Sequence, residues 1–226
     1  MLKSGYKKKI IAFITAIVLS FSSGTAMAEG VDNISVSEKA SSTDLGELNY
    51  WYSNTDRISH WETPRRIYVH NLSTNDDFDL EKYVGFAIYQ WSSKAGISCS
   101  LTGTESNHSI HFYGGLEDQL VEVGAFADCS HVNGKCHSTA SVKGTYTYNG
   151  VSKTGKVTTY SKIVLVEKSN PRTDIAYSKT AAHELGHALG YAGHSLTKGD
   201  IMYTSSVHNT TDALTSQDIN HLKQVY

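Results

Sequence analysis

The chain has 226 residues, which suits one domain with a small extension, and 20 Lys and Arg nearly balance 22 Asp and Glu. A sequence pI of 6.6 and the lack of a basic stripe exclude an electrostatic nucleic-acid binder. Nothing in the composition indicates a stable protein partner, so we expect a monomer.

The first 28 residues have the pattern of a secretory signal peptide. Four lysines within residues 3–9 precede an apolar run at 10–21, and Ala26-Met27-Ala28 is a small-x-small cleavage site. A helix that spans a membrane needs roughly 20 apolar residues, and this run is much shorter. We therefore expect cleavage after Ala28, secretion of the mature chain and no stable membrane anchor.

Residues 29–60 form a polar segment rich in Ser, Asn and Asp, with weak patterning. This N-terminal extension is either a short pro-segment or an arm lying on the domain, and a disordered leader is the simplest interpretation. We place the folded domain at residues 61–226.

Regular elements follow in an informative order. Periodicity and alternation predict a strand at 66–70, a helix at 79–94 and a strand at 108–113. A short apolar run at 123–127 is expected as an edge strand, and 162–166 as a buried strand. A helix is expected to begin near Ser178, and Thr215-Ser216-Gln217-Asp218 is a capping box that opens a last helix through Gln224.

The loop-rich stretch 114–161 contains Cys129, His131, Cys136 and His137. Thiolate and imidazole are both zinc ligands, so these side chains are candidates for a second metal site. The alternative is a disulfide in an exported protein, between Cys129 and Cys136 or involving Cys99. The exported context favours a Cys129–Cys136 bridge.

The strongest motif is His183-Glu184-Leu185-Gly186-His187. In a helix, histidines four residues apart share a face with Cβ atoms about 5–6 Å apart. Zinc binds such nitrogens at about 2.0–2.1 Å. Glu184 lies about 100° around the helix from His183, where it reaches a water beside the metal but is poorly placed as a ligand.

Two histidines leave a catalytic zinc short of its usual three protein ligands. An unbroken helix would carry residue 194 about 10 Å further along its axis, so the chain must break and fold back. Gly190 is the natural break, because glycine adopts the left-handed conformation that ends a helix. After Gly193, His194 is the expected third ligand, and His208 is the alternative.

The stretch His183–His194, followed by Asp200-Ile201-Met202-Tyr203, resembles the metzincin signature H-E-x-x-H-x-x-G-x-x-H with its Met-turn, and most closely the matrixin branch. One departure is that three residues instead of two separate Gly190 from His194. The order of elements from residue 61 onward is also similar to that of matrixin catalytic domains. The resemblance implies an α+β, metzincin-like fold: a twisted mixed β-sheet with an active-site helix, a backing helix and a C-terminal helix.

The resemblance further implies a secreted zinc-dependent endopeptidase acting on protein or peptide substrates. One catalytic zinc would be held by His183, His187 and His194, with Glu184 as general base; calcium is possible but not indicated. Met202 would form the floor of the site. The sheet edge that binds substrate would be the run Gly124-Ala125-Phe126-Ala127.

Two other functions fit the same motif. One is a zinc hydrolase of non-peptide amides, or a protease restricted to one protein. The other is an exported binding or toxin-like protein in which zinc is structural. Glu184 argues against the latter, because a structural site has no use for that carboxylate.

Overall fold

The computed structural model describes residues 48–49, 59–148, 151–191, 193–204, 212–223 and 226. The expected signal peptide with its cleavage site after Ala28, most of the extension at 29–60, and His208 lie outside these residues. The described residues belong to a single compact unit.

Eight strands occur in the part of the chain that the structure describes: β1 (Leu48–Asn49), β2 (Ser59–His60), β3 (Arg65–Asn71), β4 (Cys99–Leu101), β5 (Ile110–Gly115), β6 (Gly134–Tyr148), β7 (Val151–Val166) and β8 (His194–Ser195). The helices are α1 (Leu80–Ile88), which continues as a π-helix at Tyr89–Lys94, α2 (Glu117–Glu122), α3 (Asp174–Leu189) and α4 (Ser216–Lys223). No helix within these ranges is long and apolar enough to cross a membrane.

The main sheet has six strands and is mixed. Its parallel strands follow the order β2-β7-β5-β3-β4, and β6 pairs antiparallel with β7. One edge of β7 is taken by β6, while the other pairs with β2 at residues 156–157 and with β5 at 161–166. A separate two-stranded sheet joins β1 to β8. Together with the helices, this confirms the expected α+β architecture.

The main core lies between the sheet and helices α1 and α3. Because neighbouring residues of a strand point to opposite faces, Ile163 and Leu165 of β7 face these helices. Val164 and Val166 face the other side, where they pack against Leu120 and the segment that follows α2. The sheet therefore separates two apolar clusters.

Several predicted elements are confirmed with small changes of boundary. The helix predicted at 79–94 is α1 plus the π-helix, and its expected first residue, Asp79, is the N-cap. Helix α3 begins at Asp174, earlier than expected, because the Thr173 side chain caps it by accepting from Ala176 N. The capping box of α4 is present: Asp218 N donates to Thr215 Oγ1 and Thr215 N donates to Asp218 Oδ2, both at 3.1 Å.

The edge strand predicted at Gly124, Ala125, Phe126 and Ala127 is wrong. These residues follow α2 in a turn where Gly124 has φ of 67° and its N–H bonds Val121 O at 3.0 Å. The run is apolar because Ala125 is buried against Leu120 and Phe126 packs on the same cluster. The antiparallel outer strand is β6.

The favoured disulfide between Cys129 and Cys136 is also wrong, because both thiols are free. Cys129 is buried in the cluster behind the sheet, whereas Cys136 lies opposite Ile163 and packs against the main core. The two side chains are thus on opposite faces of the sheet.

Candidate metal-dependent active site

Helix α3 carries the first two histidines and ends where the sequence requires it. Its C-cap is Gly190, with φ of 117°, and Tyr191 N bonds Gly186 O at 3.0 Å across the end of the helix. A Cβ atom at position 190 would lie 2.2 Å from the carbonyl oxygen of Ser59. Only glycine fits both the backbone conformation and this close approach.

The chain then folds back and brings the third histidine to the helix. Gly193 has φ of 96°, and His194 follows in β8. The ring centroid of His194 lies 5.1 Å from that of His183 and 4.9 Å from that of His187, while the two helical rings are 4.8 Å apart. The extra residue after Gly190 is therefore accommodated without displacing His194.

The three imidazoles fit a metal ion. His183 Nδ1 lies 2.7 Å from Ile201 O and His187 Nδ1 lies 2.8 Å from Tyr191 O. A carbonyl only accepts hydrogen bonds, so each Nδ1 carries the proton and each Nε2 presents a lone pair. The two Nε2 atoms are 3.1 Å apart. Two zinc–nitrogen bonds at a tetrahedral angle would separate such atoms by about 3.3–3.4 Å.

Burial keeps these histidines in the neutral form that can bind a metal ion. It lowers the pKa of His183 to about 4, lowers the pKa of His187 well below its ordinary value and also lowers the pKa of His194. Within the described residues, this is the one group of three or more His, Cys, Asp or Glu side chains with ligand atoms close enough to share an ion. The Cys129, His131, Cys136 and His137 cluster considered as a second site does not form.

Glu184 lies beside the histidines and faces the outer strand. Its side chain is buried, and burial raises its pKa to about 8. A Cβ atom at Gly134 of β6 would lie 2.7 Å from Glu184 Cγ and 3.0 Å from its Oε1, so β6 passes directly against the carboxyl group. A cation held by the histidines would lower this pKa and favour the carboxylate.

The Met-turn lies under the helix. Met202 is fully buried, and its sulfur would be 2.5 Å from a Cβ atom at Gly186, so the methionine packs on the turn of α3 between the two histidines. The same segment holds β8, because Ser195 N donates to Met202 O at 2.8 Å. The Met-turn thus contacts both elements that carry the histidines.

Sequence reasoning missed two supporting residues. Asp218 of α4 accepts hydrogen bonds from Ile201 N at 2.9 Å and Met202 N at 3.2 Å, which ties the Met-turn to the last helix. The capping box identified Asp218 but gave no indication of this second role. Gly134 was missed because no local pattern marks its approach to Glu184.

One part of the N-terminal extension also reaches this region. Strand β1 pairs antiparallel with β8, with Asn49 opposite His194. The extension therefore lies, at Leu48–Asn49, alongside the strand that carries the third histidine.

A comparison with curated proteins found no match. The family model described as Matrixin matches residues 60–226, which is more than two thirds of the chain and covers all the site residues above. The chain belongs to the matrixin family, and its domain is that of a metalloprotease.

Proposed function

We propose that this protein is a secreted zinc-dependent endopeptidase in which Glu184 is the general base. The observation that carries the proposal is the convergence of His183, His187 and His194 beside a buried carboxyl group that faces an outer strand. Secretion is proposed from the signal-like residues 1–28 alone, and sequencing the N-terminus of exported protein would test it by finding Glu29 first.

The chain's own residues supply most of the chemistry. Zinc bound there would act as a Lewis acid that acidifies a water and polarises the scissile carbonyl. His183 and His187 are held by the carbonyls of Ile201 and Tyr191, which fix the ring orientation and tautomer. Glu184 takes the proton of the attacking water and passes it to the leaving amine, an action typically worth about 10²–10⁴ in rate.

The start of strand β6, residues 134–139, replaces the run 124–127 as the proposed substrate edge. One edge of β6 pairs with β7, and no other described strand pairs with the opposite edge. Since β6 begins at Gly134, against Glu184, an extended peptide added along it passes the carboxyl group. Main-chain hydrogen bonds would then bind many sequences, as a protease requires.

The test is digestion of casein by the purified chain that starts at Glu29, with and without a zinc chelator. We expect cleavage, loss of cleavage with the chelator and recovery on adding zinc. A second chain that starts at Ser59 tests the pro-segment hypothesis, which predicts that only the shorter chain is active. Zinc binding by both chains without cleavage by either would favour the binding-protein or non-peptide alternatives.

A further inference from the structure

The β6–β7 hairpin is longer than the sheet that supports it. The two strands pair from Gly134 opposite Leu165 to Tyr148 opposite Val151. Strand β2 pairs with β7 no further out than Lys156. Beyond it, the five residue pairs from Gly144–Gly155 to Tyr148–Val151 are paired with each other and with no third described strand. We call this part of the hairpin, residues 144–148 and 151–155, the arm. At about 3.4 Å per residue, the arm extends about 17 Å beyond the sheet.

The hairpin also has an unusual charge. Residues 134–166 contain five lysines and no Asp, Glu or Arg, whereas the whole chain has a formal net charge of −2. Three of these lysines lie in the arm or next to it: Lys143, Lys153 and Lys156. In the pairing register, Lys143 is opposite Lys156. A hairpin with five lysines and no acidic side chain of its own favours an anionic partner.

The outer edge of the arm continues the edge that passes the site. Gly134, at the start of β6, contacts Glu184, and the same strand runs on to Tyr148. An isolated two-stranded ribbon is only marginally stable in water, and a third strand along its free edge would stabilise it. A polypeptide that lies along β6 at the site therefore has a path of backbone donors and acceptors leading out along the arm.

We propose that the arm binds an acidic, extended segment of the substrate, several residues away from the bond that is cut. This inference rests on the proposed function and adds to it a substrate class: polypeptides with a stretch rich in Asp and Glu near the cleavage point. Backbone pairing with β6 supplies part of the affinity, and the lysines select for carboxylates.

The experiment compares matched peptides. A short casein sequence that the wild-type chain cuts is extended on its N-terminal or its C-terminal side with alternating Glu-Thr, or with alternating Gln-Thr as the neutral control. The variants are Lys143→Gln/Lys153→Gln/Lys156→Gln and a shortened hairpin lacking 145–148 and 151–154, which joins Gly144 to Asn149 and Gly150 to Gly155 in register. The matched control is Lys82→Gln/Lys94→Gln/Lys223→Gln, which removes the same charge from helical positions.

We expect the Glu-Thr extension on one side to raise kcat/KM by about 5- to 20-fold over its Gln-Thr counterpart, and the gain to shrink as salt is added. Both hairpin variants should lose this gain while cutting the unextended peptide at the wild-type rate, and the helical control should keep it. Equal rates on acidic and neutral extensions would overturn the proposal, as would loss of activity on the unextended peptide in both hairpin variants.

A binding measurement separates this proposal from the proposed function. A fluorescein-labelled Glu-Thr peptide is titrated with the full Glu184→Gln chain, and the anisotropy is compared with that of the Gln-Thr peptide. A preference for the acidic peptide that the hairpin variants lose would support binding of acidic segments by the arm, even if no casein is cut. Tighter binding to phosphatidylserine vesicles than to the peptide, or a stable dimer that the shortened hairpin abolishes, would contradict it.

Discussion

Gly134 is the residue of β6 that leaves room for the Glu184 side chain. A methyl group there would lie 2.7 Å from Glu184 Cγ and 2.8 Å from Thr180 Cγ2, too close for either to stay in place. The Glu184 side chain would have to shift, and the three heavy atoms nearest to the added Cβ belong to Glu184 and Thr180 and not to a histidine. The position of the Glu184 side chain thus depends on a residue fifty positions away in the sequence.

Replacing Gly134 with Ala should therefore lower kcat/KM on casein-derived peptides by about 10- to 100-fold, because small displacements of a catalytic group have effects of this size. Zinc content should be unchanged. The control is Gly103→Ala, where the added Cβ meets nothing within 4 Å. Wild-type activity in Gly134→Ala would show that the contact does not position Glu184.

The histidine motif could be recognised from sequence because it is local. Most of the geometry is set within twelve residues of chain. Two histidines lie four residues apart in a helix, a glycine ends the helix, and the third histidine follows shortly after it. Gly134 and Asp218 could not be recognised in their roles, since each acts across a fold that brings distant segments together. Their contacts with Glu184 and with the Met-turn leave no periodic signal.

Helix α4 supports the Met-turn. Asp218 is completely buried and accepts from the backbone N–H groups of Ile201 and Met202, while Ile201 O accepts from His183. Asp200 adds to this support by accepting from Thr215 Oγ1 at 2.7 Å. The last helix is therefore connected to the metal site through two hydrogen-bonded steps.

Asp218→Ala should lower the free energy of unfolding by about 2–4 kcal/mol, because it leaves buried backbone donors without an acceptor. Asp218→Asn keeps one acceptor oxygen and should cost less. Urea unfolding followed by circular dichroism measures both, with the exposed Asp76→Ala as control. If Asp218→Ala were as stable as Asp76→Ala, α4 would not be holding the Met-turn.

The elements that sequence predicted well are those with a strong period of their own, such as α1, with Leu80, Val84 and Ala87 on its buried face. The outer strand was misplaced for a physical reason. The β6 sequence is rich in Ser, Thr, Gly and Lys, and none of the side chains at 134–140 is fully buried, so it looks like a loop. Its strand pairing with β7 is decided by the partner strand and not by its own composition.

The sheet separates the candidate metal site from a second face, which carries a cluster of aromatic and imidazole rings. His111 is at its centre: its ring stacks on Tyr113 at 3.8 Å between centroids and lies 4.7 Å from that of His108. His111 is 3% exposed, and its Nε2 has no hydrogen-bond partner among the residues that the structure describes. The pKa of His111 is lowered to about 4, mainly by burial and to a smaller extent by the nearby His108, His70 and Lys162.

This depressed pKa predicts acid sensitivity. The unfolded chain binds a proton at His111 near its ordinary pKa of 6.5, whereas the folded protein resists protonation until about 4. The stabilising contribution is therefore complete above 6.5 and is lost as pH falls through this window. Metal-free wild-type protein should lose about 1–3 kcal/mol more unfolding free energy between about pH 7 and pH 4.5 than His111→Phe does. Equal losses in urea titrations of both proteins would contradict this.

The most direct test of the proposed mechanism is casein digestion by the wild-type chain and by Glu184→Gln, after zinc has been measured in both. Glutamine has nearly the same shape but cannot accept the water's proton, and Glu184 is not one of the proposed zinc ligands. We predict equal zinc content in the two proteins and a fall in the rate of the variant by about 10²–10⁴. A variant that retained zinc and cut casein at the wild-type rate would show that Glu184 is not the general base.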